Sequence, residues 1–153
     1  MNNREKLKEI VEALDMGFTT QTVYSANVTL DQIVKEDRLK IGDKKLPLAI
    51  LIYPQSGRLV TGAILQDVRN VPTARIVIVD TMTTPESFNE DEADIADALM
   101  DKAKRLFNAV NKSGLWKTAT NATYNMLLHV FDANMCAVEL IVQLEELEGE
   151  CYD

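Results

Sequence analysis

The segment NMLLHVFDANMCAVELIVQLEE, residues 125–146, decides the fold. Tyr124, Met126, Leu128 and Val130 alternate on one side of a run, and Val138, Leu140, Val142 and Leu144 do the same in the next. The residues DANM, 132–135, lie between the runs as a turn. Period-two alternation on both sides of a turn predicts a β-hairpin with one buried face. The segment also holds the only histidine, His129, and one of two cysteines, Cys136. It reads as scaffold. No G-x-S-x-G precedes the histidine, and His129 falls on the opposite face of its strand with Leu127 and Phe131. A Cys–His pair across the hairpin is the catalytic alternative.

Upstream lies the longest amphipathic run. Ile95, Leu99, Ala103, Leu106, Phe107 and Val110 recur at helical spacing and form one apolar stripe. Asn89 is a candidate cap, with Glu92 at the third helical position. Acids fill the first turn, while Lys102, Lys104 and Arg105 come later, as the helix dipole favours. NKSG ends the helix at Gly114.

Further upstream, LPLAILIYP is apolar on both faces over 48–53, the pattern of a strand covered on both sides. PQSG, 54–57, has turn composition, so 48–66 reads as a hairpin whose second strand is RLVTGAILQ. Gly62 within it marks a bulge or a close backbone approach. DVRNVP reads as a loop ending at Pro72, and ARIVIVDT, 74–81, as another buried strand. At the N-terminus, Leu7, Ile10, Val11 and Leu14 give a first helix, with Gly17 as its stop. FTTQTVY, 18–24, is β-branched and aromatic, a strand. Thr29 and Gln32 have capping-box spacing before a short second helix carrying Leu30, Ile33 and Val34. These elements make an α+β domain: a mainly antiparallel sheet of hairpins packed against one long helix, plus an N-terminal helix and a short second helix. The 153 residues fit one domain, with an acidic tail from about residue 145 that is expected to fray.

The net charge is −8, and it is unevenly spread. Residues 1–45 hold eight acids and eight bases. Residues 80–101 hold eight acids and no base, and 139–153 hold six acids and no base. Such a chain does not grip nucleic acid through a basic footprint. No apolar run reaches the roughly 20 residues that span a bilayer, and charges at the N-terminus sit where a signal peptide needs apolar residues. The expected location is therefore a cytoplasm, without membrane association. Cys136 and Cys151 form no CxxC, so two reduced thiols are the default and a disulfide between them is the alternative.

No site chemistry stands out. The Cys and His residues are too few for a structural zinc centre. Glu90, Asp94, Asp97 and Asp101 share one side of the long helix, which reads as a solvated face; a magnesium site is the alternative. Asp80, ending a buried strand, is the best position for a lone catalytic carboxylate and is also an ordinary strand-end residue. The six glycines form no phosphate cradle. Trp116, the only tryptophan, is either a core plug or an interface anchor. The expectation is no enzyme, no metal and no cofactor.

In size and order of elements the chain resembles the tail-terminator or tail-completion proteins of bacterial viruses and related ring proteins at the head–tail junction. LPLAILIYP, ARIVIVDTMTTPESFNEDEADIADALMDKAKRLF and VFDANMCAVELIVQLEE carry the resemblance, which covers most of the chain. It implies a non-enzymatic virion protein, assembled in the bacterial host cytoplasm, that forms a ring of six or more copies. The ring would stack on neighbouring neck or tail proteins, with DNA passing through unbound. The family has no residue motif to carry over, and this chain lacks an obvious basic docking patch. By position, Glu90, Asp94, Asp97, Asp101, Glu145 and Glu146 are candidate lumen acids, because acids repel phosphates and let DNA slide. Tyr53, Gln55, Arg58 and Trp116 are candidate subunit-interface residues. The competing expectation is a small acidic secretion-type chaperone or adaptor acting as a dimer. A third is a carboxylate enzyme using magnesium.

Overall fold

The structure, a computed structural model, describes residues 3–14, 19–23, 48–62, 67–81, 90–130, 135–148 and 150–151. Within them the chain is α+β. Helix α1 (Asn3–Ala13) precedes strands β1 (Thr19–Val23), β2 (Leu48–Thr61) and β3 (Asp67–Thr81). Helix α2 (Glu90–Lys112) follows, then β4 (Thr123–Val130), β5 (Met135–Gln143) and the short β6 (Glu150–Cys151). The strands form one sheet in the order β1-β2-β3-β5-β4, with β6 pairing the start of β3. Only β1 and β2 run parallel; every other pair is antiparallel. The second helix expected near 29–34 and the cap at Asn89 lie outside the described residues.

One face of the sheet carries the main core. Ala49 and Leu51 of β2 lie across from Ile78 and Ile76 of β3, which lie across from Val138 and Leu140 of β5. The stripe of α2 packs here: Leu99, Ala103, Leu106 and Val110 are buried, with Ile95 and Phe107 at its margins. Leu7 and Val11 of α1 join them. Burial of such apolar area is the main stabilising term, about 25 cal/mol per Å². Cys136 is fully buried in this core, in the place of a small apolar side chain. Ile50, Ile52, Val77, Val79 and Ala137 point to the other face and are buried as well, so β2 is covered on both sides as its apolar run requires.

The stretch expected to turn at PQSG does not turn. Strand β2 runs straight through it, and its register against β3 shifts between Ile52 and Ser56, the signature of a bulge. The hairpin closes farther on, where the Gly62 amide donates to the Asp67 carbonyl at 2.8 Å. DVRNVP is likewise strand, the first part of β3. Gly57 faces Pro72 across the pair, and a Cβ there would sit 2.7 Å from the Val71 carbonyl oxygen. Glycine at 57 therefore serves close backbone approach, not a turn.

The region after α2 is tied down by side chains. Gly114 has φ +69°, which ends the helix. The Asn111 carboxamide then clamps the loop: its Nδ2 donates to the Ala119 carbonyl at 3.1 Å, and its Oδ1 accepts from the Ala119 amide at 3.0 Å. The acidic tail does not fray through residue 146. Leu144 is buried and its amide donates to the Pro72 carbonyl, Glu146 bridges to Trp116, and β6 pairs with Asp67 and Val68. No described helix is long and apolar enough to cross a membrane.

Candidate functional site: sheet edges, an acidic helix face and a polar cleft

The acids of α2 lie where their spacing puts them. Asp94, Asp97 and Asp101 are exposed on the side of the helix away from the sheet. Asp101 accepts an ion pair from Arg105 one turn later, at 2.9 Å, with both side chains more than 60% exposed. Such a pair is worth about 0.3–0.5 kcal/mol. Glu90 begins the helix, and its side chain lies outside the described residues.

Glu145 and Glu146 are engaged differently from the expectation that they line a channel. Glu145 sits 3.5 Å from the Arg69 guanidinium and 3.6 Å from Lys117 Nζ. Glu146 Oε2 accepts the Asn70 amide at 2.9 Å. Both acids are half-buried and hold the end of β5 against β3, so their charge is partnered within the subunit. Glu145 also lines a cleft on the face of the sheet opposite α2.

Trp116 is not a surface anchor. It is 3% exposed, in the core, where Nε1 donates to Asn3 Oδ1 at 3.1 Å and Lys6 stacks over the ring at 5.9 Å. It joins the loop after α2 to α1. Arg58 is exposed in β2. Tyr53 and Gln55 also lie in β2, with side chains outside the described residues.

Asp80 is ion-paired to Lys102 of α2 at 3.3 Å, linking the end of β3 to the helix. His129 falls where the β4–β5 register shifts, between Leu127 and Val130. Among the described residues no three His, Cys, Asp or Glu side chains converge as a metal site requires.

Two features had no advance notice. The face of the sheet opposite α2 carries a polar bridge across three strands. Arg75 of β3 donates to Glu139 of β5 through Nε, at 3.2 Å, and through Nη2; Asn125 Nδ2 of β4 donates to the other Glu139 oxygen at 3.1 Å. Glu139 is 6% exposed, the one buried charged residue among those described. Its donors make that burial tolerable. A charge inside the apolar run MCAVELIVQ was the available signal. Beside the bridge opens a cleft of about 450 Å³. Its floor includes Val71, Thr73 and Ile141, its wall is the loop 117–122, and its charged groups are Arg58, Lys117 and Glu145.

Among the described residues the sheet ends in two open edges. Among the described residues nothing pairs with the outer side of β1 or of β4. Thr123, Tyr124 and Asn125 are exposed, Tyr124 at 55%. Among the described residues a third stretch of open edge is the outer half of β2, since β1 accompanies β2 only as far as Ile52. There Ser56, Gly57, Arg58, Leu59 and Thr61 are exposed.

The chain matches no protein-family model and no curated protein.

Proposed function

We propose that this protein is a non-enzymatic structural subunit that joins copies of itself into a ring, of the kind that terminates or connects the tail of a bacterial virus around its DNA channel. One observation carries the reading. The β2–β3 hairpin continues past the last β1 pairing as an arm, and Leu59 stands on it at 73% exposure. Leu144, Glu146 and β6 line the β3 side of this extension, but its β2 edge is unpaired among the described residues, and an exposed edge is a template for pairing with another chain. An arm of this kind fits a subunit whose neighbours complete it.

The acidic face of α2 supports the same reading. Asp94, Asp97 and Asp101 are solvent-facing and would repel DNA phosphates if the helix lined a lumen. The lumen assignment rests on these acids, because Glu145 and Glu146 already serve Arg69, Lys117 and the β3 backbone.

The test is mass in solution by light scattering, over a concentration series of the purified chain. A species of six or more 17.1 kDa copies supports the ring. A tight dimer at every concentration moves the function to the acidic chaperone or adaptor, and a monomer throughout removes self-assembly. For the lumen, reversing Asp94, Asp97 and Asp101 to lysine should slow DNA delivery by assembled particles. Unchanged delivery would exclude that role.

A further inference from the structure

We infer that the two outer strands among the described residues are complementary: the edge of β4 that is unpaired among them in one copy pairs, antiparallel, with the corresponding edge of β1 in the next. The inference rests on the ring reading and specifies the joint.

The composition of the edges is the first argument. Charged residues make up 26% of the chain. Yet TTQTV in β1 and TYNMLLHV in β4 contain no lysine, arginine, aspartate, glutamate or proline. Monomeric proteins place those residues on edge strands to block unwanted pairing. Here both ends of one sheet omit them, while the sheet keeps its charges elsewhere, at Arg75 and Glu139 in the middle strands.

Strand direction is the second argument. β1 runs with β2, β3 runs against β2, β5 runs against β3, and β4 runs against β5. β4 therefore points opposite to β1. A second copy set beside the first so that its sheet continues the first keeps its own orientation. Its β1 then meets β4 antiparallel, the more stable ladder. The contact uses two different surfaces, so it is head-to-tail and repeats from copy to copy, as ring closure demands. Pairing β4 with another β4 would be two-fold and would stop at a dimer.

Face continuity makes the joint testable. Gln21 pairs with Ile50, and Thr123, Asn125 and Leu127 pair with Ile141, Glu139 and Ala137. Thr123, Asn125 and Leu127 belong to the sheet face opposite α2, and Ile50, the register partner of Gln21, belongs to it too, so cysteines at these positions sample the joint from one side. The experiment uses the full chain with Cys151→Ser; Cys136 is buried and stays silent. Gln21→Cys is combined in turn with Thr123→Cys, Asn125→Cys or Leu127→Cys, which samples the antiparallel register in two-residue steps. Mild oxidation is followed by denaturing electrophoresis without reductant, with scattering mass measured beforehand.

The expected result is a covalent ladder extending beyond the dimer for at least one pair, with each parent that carries one added cysteine remaining one chain in mass. A covalent dimer from Asn125→Cys alone means a two-fold β4 contact and overturns the inference. Rings by scattering with no ladder from any pair overturn it too, but leave the ring reading standing. A monomer by scattering with no ladder overturns both.

Discussion

The β2–β3 hairpin lives in two environments. In its inner half, Ala49 to Ile52 are buried against Ile76 to Val79, none more than 4% exposed. In its outer half the same strand carries Ser56, Gly57, Arg58 and Leu59 into solvent. Backbone pairing is continuous apart from one bulge. Among the described residues the difference lies in what covers the strands: β1, β5 and two helices on the inner half, and Leu144, Glu146 and β6 along β3 on the outer. Ladder hydrogen bonds extend a strand, but only burial on its faces makes it core.

The contrast can be broken or sharpened by substitution. The largest expected effect is in the covered half. Leu106→Ala removes a 1% exposed side chain beneath β3 and β5 and should cost about 3–4 kcal/mol, read as a fall in the urea midpoint at unchanged slope. Next is Glu139→Ala on the opposite face. It strands the half-buried Arg75 and the Asn125 carboxamide and should cost about 2 kcal/mol, less than a fully buried pair because Arg75 is 35% exposed. Calorimetry would show it as a lowered Tm. At the bulge, Gly57→Ala drives a methyl toward the Val71 carbonyl and the Pro72 Cα, 2.7 and 2.8 Å away. Backbone must shift, at about 1–2 kcal/mol in denaturant unfolding. If the site were a free turn the cost would vanish. The smallest effect belongs to the arm: Leu59→Ser should change monomer stability by less than about 0.5 kcal/mol while reducing the assembled fraction in scattering. A stability loss comparable to that of Leu106→Ala would show that the arm is packed, and the contrast would collapse.

The elements with long periods were legible in the residues. The stripe from Ile95 to Val110 specified α2 and its buried side, and the alternation of Val138, Leu140 and Val142 specified β5. PQSG misled because proline, serine and glycine mark both turns and bulges, and the deciding partner, Pro72, lies on the other strand. Composition along one strand cannot report a close approach made by a second. The fate of the tail acids was hidden for the same reason. Glu145 reads as solvated charge until Arg69 and Lys117 are placed beside it in space. Trp116 left two alternatives open, and its bond to Asn3, more than a hundred residues away, settles it as core.

Cys136 gives the chain a built-in clock. Its sulfur sits at zero exposure on β5, across from Asp80 at the end of β3. A thiolate must reach water before it reacts. In a Cys151→Ser chain, the rate of alkylation therefore counts the openings that separate the central strands, and the ratio of that rate to the rate for the unfolded thiol measures their free energy. Assembly that clamps the sheet from its edges would slow the clock without touching the cysteine.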